Sequence, residues 1–233
     1  MTDLPADIFT EQTDIDPDTL ANLGPLRALA GVWEGTKGED VNPNPDETGR
    51  QAYIERITLQ PIDPQSNGPQ LLYGLRYHTH VVKPGEVDTY HDQVGYWSWE
   101  PATGTIYHSL TIPRGQTALA IGRAAPGATR FEVKAVRGST ENGISSIAFL
   151  EQAFRTDAFI LEVTVNANGT WSYVSDTILQ VHGQAEPFHH TDRNTLTKIA
   201  EPTPNPMAQI VSKSGQSPAA GRPAFRWLGR RRS

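Results

Sequence analysis

The side chains of this 233-residue chain most able to do chemistry are its seven histidines, His78, His80, His91, His108, His182, His189 and His190. His78 and His80 lie two apart in a segment of strand-like alternation, which turns both imidazoles to one face, the way a β-structure offers a chelating pair. With His91 or Glu86 as a third ligand they would make a metal-dependent barrel enzyme. His91 adjoins Asp92, but neighbours on a strand face opposite ways, so the two cannot pair by adjacency. No phosphate-cradling glycine loop, serine-centred elbow or HExxH helix is present, and no residue is assigned a catalytic role.

Two other segments point to ligand contact. Pro187–Asn194 (PFHHTDRN) is polar for the last strand of a domain, and its alternation sets His189, Thr191 and Arg193 on one face and His190 on the other. Thr111-Ile112-Pro113-Arg114-Gly115 ends a strand and leaves Arg114 where a guanidinium could take a carboxylate. The strand Tyr90–Trp99 puts His91, Gln93, Trp97 and Trp99 on one side and Tyr90, Asp92, Tyr96 and Ser98 on the other. Trp33, Tyr96, Trp97 and Trp171 are candidates for a cavity wall.

Composition narrows the chemistry. The absence of cysteine removes disulfides, thiolate metal sites, iron–sulfur clusters and cysteine nucleophiles. Residues 1–200 carry a net charge of −11, a poor footprint for phosphate backbones, so no nucleic-acid partner is expected. No apolar run approaches the roughly 20 residues of a membrane helix, and the N-terminal segment is acidic, the reverse of a signal peptide, so a cytoplasmic location is expected.

The elements that must position these groups are strands. After Asp18-Thr19, which can cap a short helix carrying Leu20, Leu23, Leu26 and Leu29, the apolar period changes from helical to two. About ten strands follow, near 32–38, 51–60, 70–82, 89–99, 105–112, 117–123, 129–137, 158–165, 170–181 and 188–199. Turns such as Asn166–Gly169 and Glu100–Gly104 suit antiparallel hairpins. Only Ser146–Arg155 has helical spacing among them. The expectation is an all-β fold, a closed or nearly closed antiparallel barrel with short helices, since closure is the surest way to remove edges and a barrel of this size can enclose a small ligand. Residues 1–18 read as an acidic flexible leader, 19–202 as the ligand-binding barrel, and 203–233 as a Pro/Gly/Arg-rich flexible tail. In that tail Phe225, Trp227 and Leu228 beside Arg230–Arg232 could touch an anionic surface.

Gly31-Val32-Trp33-Glu34-Gly35-Thr36-Lys37-Gly38 resembles the GxWxGxG signature of the nitrobindins, THAP4-type haem-binding barrels that are fatty-acid-binding-protein-like in shape, with Lys37 standing where the last glycine belongs. The similarity continues through Tyr53-Ile54-Glu55, Gln70–Tyr77, His91–Tyr96, Ile112–Gly115 and the last strand, about Leu20 to Ala200. It implies a ten-stranded barrel that binds haem b through a last-strand histidine, with nitric oxide binding and isomerisation of peroxynitrite to nitrate as the linked chemistry. The family's terminal pattern P-L-x-x-H-L-x-A-x-L-x-R, laid on Pro187–Lys198, puts its histidine on Thr191. A β-bulge between Pro187 and Asp192 would let His190 or His189 serve as the iron ligand. Without one, the face holding His189, Thr191 and Arg193 suits an anion. The alternative is therefore a barrel without haem that binds a fatty acid or other carboxylate, with Arg114, Arg193 or Arg76 as its partner.

Overall fold

A computed structural model describes residues 7–45 and 48–214. Within them twelve strands follow in order: β1 (Gly31–Pro43), β2 (Thr48–Pro61), β3 (Gln65–Asn67), β4 (Gln70–Val82), β5 (Thr89–Glu100), β6 (Thr105–Ile112), β7 (Gln116–Arg123), β8 (Arg130–Val136), β9 (Ile144–Ser146), β10 (Phe154–Val165), β11 (Trp171–Val181) and β12 (Phe188–Ala200). Ten of them close a ring in the order β2-β1-β12-β11-β10-β8-β7-β6-β5-β4, with β2 paired to β4, and every pairing is antiparallel. The short β3 and β9 attach to β4 and β7. The closed antiparallel barrel expected from the alternation is therefore the observed fold, with two extra strands.

One end of the barrel is stoppered. Asp18 accepts from the Ala21 amide and caps α1 (Thr19–Asn22), and a 3-10 helix over Gly24–Leu29 lays Leu23, Leu26 and Leu29 across the opening, all without solvent exposure. Gly24 is left-handed (φ +53°), and a Cβ there would stand 2.5 Å from the Trp99 ring, so the turn can seat against that ring only with glycine. Trp33 sits beneath the stopper, 1 % exposed, donating Nε1–H to the Leu29 carbonyl at 2.8 Å and meeting Trp171 edge-on at 6.1 Å.

β1 contains the irregularity that matters most for the interior. Gly35 pairs with Glu55 and Gly38 with Tyr53, so Thr36 and Lys37 together oppose Ile54 alone, which is a β-bulge. Before it Gly31, Trp33 and Gly35 are buried; after it the buried positions are Gly38 and Asp40. Lys37, the residue that displaces the last glycine of the signature, is thus one of the bulged pair. Gly38 then lies flat on Tyr53, whose ring a Cβ would strike.

The described parts of the outer segments make specific contacts. The described part of the leader is docked: the Gln12 side chain donates to the Pro69 carbonyl at 2.7 Å, and the Gly68 amide donates to Glu11. The tail starts with a clamp, in which buried Asn205 accepts from the Thr19 amide and donates to the Pro17 carbonyl and Asp63, before α3 (Pro206–Ser214). Phe225, Trp227, Leu228 and Arg230–Arg232 lie outside the described residues. The helix expected over Ser146–Arg155 is shorter, α2 (Ala148–Ala153), with β9 before it. Among the described residues no helix is long and apolar enough to cross a membrane.

Removing the stopper's anchor should cost much of the fold's stability. Trp33→Ala is expected to lose about 3–5 kcal/mol in urea unfolding, from lost burial plus a cavity, and Gly24→Ala about 1–2 kcal/mol from the left-handed backbone alone. Equal unfolding midpoints for wild type and Trp33→Ala would contradict this account of the closed end.

Candidate functional site

The interior above the stopper is a cavity of about 500 Å³ opening at the far end of the barrel. That volume lies within the roughly 300–1,000 Å³ of small-molecule sites. Its walls are mostly apolar, with Ile57, Leu59, Leu110, Phe159, Leu161 and Val163 among them. Each comes from the inward alternation of its strand. Polar groups interrupt these walls in three places.

At the mouth, β12 turns His190 and Asp192 inward, with Asn194 and Leu196 buried below them. The β11–β12 register runs unbroken from Leu196 to Phe188, so there is no bulge on that side and the parity is simple. His190 Nε2 lies 2.9 Å from Asp40 Oδ1 and 3.7 Å from Asp192 Oδ2. Asp40, 2 % exposed, reaches the interior because of the β1 bulge, and its Oδ2 accepts from Tyr90 and from Asn42 Nδ2. Burial pushes the Asp40 carboxyl up, but the bonds to His190, Tyr90 and Asn42 outweigh it and hold the group below its ordinary value. Burial opposes charge on His190 too, and the two carboxylates overcome it, so its pKa is raised. Burial and the charge of Asp40 push Asp192 up to about 6 against the pull of His190. His91 and Arg114 complete the rim, and burial lowers the His91 pKa.

Halfway down one wall lies a buried acid, Glu55, 3 % exposed. Its Oε2 accepts from Tyr173 at 2.9 Å and Asn194 at 3.2 Å, and the Tyr53 and Tyr173 hydroxyls are 2.7 Å apart. Burial outweighs these bonds and raises the carboxyl to about 7.

On the facing wall Gln93 donates to the Tyr77 hydroxyl at 2.6 Å, which meets His108 Nε2 at 2.9 Å. The arrangement that uses every group has Tyr77 donating to Nε2, which leaves the proton on His108 Nδ1. His108 is 1 % exposed, stacked on Trp97 at 3.9 Å, and burial lowers its pKa to about 3, so the ring is neutral. Among the described residues its Nδ1–H has no acceptor, and neither has the Trp171 Nε1–H; both residues line the cavity.

The structure separates the residues that sequence reasoning had grouped. His190, His91, Arg114, Trp97 and Trp171 line the cavity. The face expected to bind an anion points the other way: His189 pairs with Asp176 at 2.8 Å and Arg193 with Glu39 at 2.5 Å, both exposed, and Thr191 faces outward between them. Arg76 lies on the outer surface, and Tyr96 is 45 % exposed. Trp33 belongs to the stopper and not to the cavity wall. His78 and His80 share a face as expected, but it is the outer one, where they bond to Asp92 and Thr89, and Glu86 and His91 stand apart from them. The residues missed were Asp40, Glu55, His108, Tyr53, Tyr77 and Tyr173. Glu55 had a signal: alternation through Tyr53, Ile57 and Leu59 sets it inward, where a lone carboxylate is anomalous.

The buried acid should show in the pH dependence of stability. Native Glu55 keeps its proton to about pH 7 while the unfolded chain releases it near 4.5, so the native state binds the extra proton between those values. The associated stability is full below about pH 4.5 and is lost as pH rises through about 7, on the order of 3 kcal/mol. Asp192 has the same sign, so the quantity to measure is the difference between wild type and Glu55→Gln in urea unfolding at pH 5 and pH 8. Wild type should lose more stability over that span; parallel profiles would remove Glu55 as the source.

Comparison with known proteins agrees with this architecture. No curated protein sequence matches the chain. Among solved structures, Rv2717c from M. tuberculosis superposes with a TM-score of 0.53 at 19 % identity, covering 79 % of this chain and 99 % of that one. A β-barrel-like protein of domain of unknown function DUF1849 from Brucella abortus gives a TM-score of 0.24 at 7 % identity, covering 72 % and 97 %. The profile of the THAP4-like, heme-binding β-barrel domain matches residues 22–198, from the end of α1 to near the end of β12. With three quarters of its length inside that match and the barrel it requires, the chain belongs to the THAP4-like, heme-binding β-barrel family.

Proposed function

We propose that this chain is a small-molecule-binding barrel whose cavity takes an apolar molecule with an oxygen acceptor at its inner end. The supporting observation is a pair of buried donors without an acceptor among the described residues, His108 Nδ1–H and Trp171 Nε1–H, on residues that line a mostly apolar cavity. A buried donor left without an acceptor costs about 1–3 kcal/mol. A ligand carbonyl, ether or carboxylate oxygen would recover that cost while the apolar walls take up the rest of the molecule. Arg114 on the rim favours a second arrangement for an acid, with the carboxylate at the mouth; Arg76 and Arg193 face outward and cannot serve.

Haem is the ligand the family suggests, and His190 is the inward imidazole of the last strand. Its surroundings do not fit that role. Iron bound to Nε2 would have to occupy the place of Asp40 Oδ1, and Asp40 is buried and pinned by Tyr90 and Asn42. Peroxynitrite isomerisation depends on haem and falls with it.

A neutral apolar fluorophore such as Nile red should bind wild type at one site and raise Tm by mass action. Ala118→Trp, which fills the cavity from β7, should abolish binding, and Val94→Trp on the outer surface should leave it intact. Nile red that never saturates would reject the cavity reading. Hemin is expected to give no one-to-one Soret band that depends on His190; such a band, lost in His190→Ala, would restore haem as the ligand.

A further inference from the structure

Asp40 and Asp192 are directly opposite each other in the β1–β12 pairing and both face inward. Like charges in that relation destabilise a sheet, and the single imidazole between them supplies at most one positive charge against two negative ones. The three donor atoms, Asp40 Oδ1, His190 Nε2 and one Asp192 carboxylate oxygen, all lie within 4.8 Å of one another. We propose that this cluster binds one divalent transition-metal cation, with Asp40, Asp192 and His190 as ligands and the cavity side left open for water or a donor atom of the interior ligand.

Spacing, donor type and support agree with that assignment. Ligand bonds of about 2.0–2.2 Å place neighbouring donors about 3.0–3.5 Å apart around a four- to six-coordinate ion; the imidazole nitrogen lies 2.9 Å and 3.7 Å from the two carboxylates. One imidazole with two carboxylates suits Zn²⁺, Mn²⁺, Fe²⁺ or Co²⁺, whereas Mg²⁺ prefers oxygen alone and Cu(I) prefers sulfur. Asp40 is also held from behind, and Asp192 is bonded at the oxygen that faces His190. Tyr90 and Asn42 fix Asp40 Oδ2, which leaves Oδ1 for the ion, and Ser175 donates to Asp192 at 3.2 Å. Such outer partners orient ligands and raise affinity. The cation neutralises the opposed pair, and Arg114 across the rim remains for an anionic group that approaches it. No interior ligand is required, so an apolar probe that fails to bind leaves this site standing, and the reverse also holds.

Co²⁺ is the probe, because its visible d–d bands report coordination directly. The full chain, stripped of metal by a chelator, should take up one Co²⁺ per molecule, develop those bands, and lose them when Zn²⁺ is added. Asp192→Asn and Asp40→Asn preserve shape and remove charge, and each should weaken Co²⁺ at least tenfold; His190→Ala should abolish the bands. The double variant His78→Ala/His80→Ala, altered only on the outer surface, should bind as wild type does. The proposal is overturned if Co²⁺ never saturates at one equivalent, or if its Kd is unchanged in Asp192→Asn while circular dichroism shows an intact barrel. Loss of the bands in the His78/His80 variant alone would assign the ion to the surface histidines and overturn it equally.

Discussion

Side chains alternate between the two faces of a strand, so one residue inserted into β1 reverses every position after it. Here the insertion falls at Thr36 and Lys37, and its first consequence is that Gly38, lacking a side chain, lies flat on Tyr53. Its second is that Asp40 faces inward toward β12, where Asp192 and His190 already point. In an uninterrupted strand Asp40 would lie on the outer surface with Glu34, and His190 would face Asp192 alone. The character of the opening thus depends on a local change in backbone geometry at the seam where the ring closes.

Below the mouth the interior is graded. Aromatic and aliphatic groups fill the stoppered end, where the Leu29 carbonyl takes up the Trp33 indole N–H. Above it two polar wall networks face each other, Glu55 with its tyrosines and Asn194, and His108 with Tyr77 and Gln93. Most of their atoms are bonded to one another, which makes their burial tolerable. The two N–H groups left over, on His108 and Trp171, belong to residues that line the cavity.

Much of this was legible in the sequence. Period-two alternation and hairpin turns gave ten strands and, through the edge problem, a closed barrel. The glycine and tryptophan spacing around Trp33 pointed to the family. The site was less legible because inside and outside differ by one residue of register. His78 and His80 shared a face as their spacing required, but nothing in the spacing said that it was the outer one. On β12 every position from His189 to Thr195 is polar, so composition could not choose between the His189–Arg193 face and the His190–Asp192 face; the pairing with β11 chose. Asp40 was unreadable without the bulge. His108, in the stretch Tyr107–Leu110 (YHSL), carried no motif, and its importance came only from what surrounds it after folding.

Asn205 binds Thr19 and Pro17 directly, so the two ends of the folded unit lie side by side although 186 positions separate Thr19 from Asn205 along the chain. Such a molecule resembles a loop tied by one knot of hydrogen bonds. The covalent break between its ends is therefore not a topological necessity, and the chain could be circularly permuted, its old ends fused and new ones cut at the open turn around Gly169.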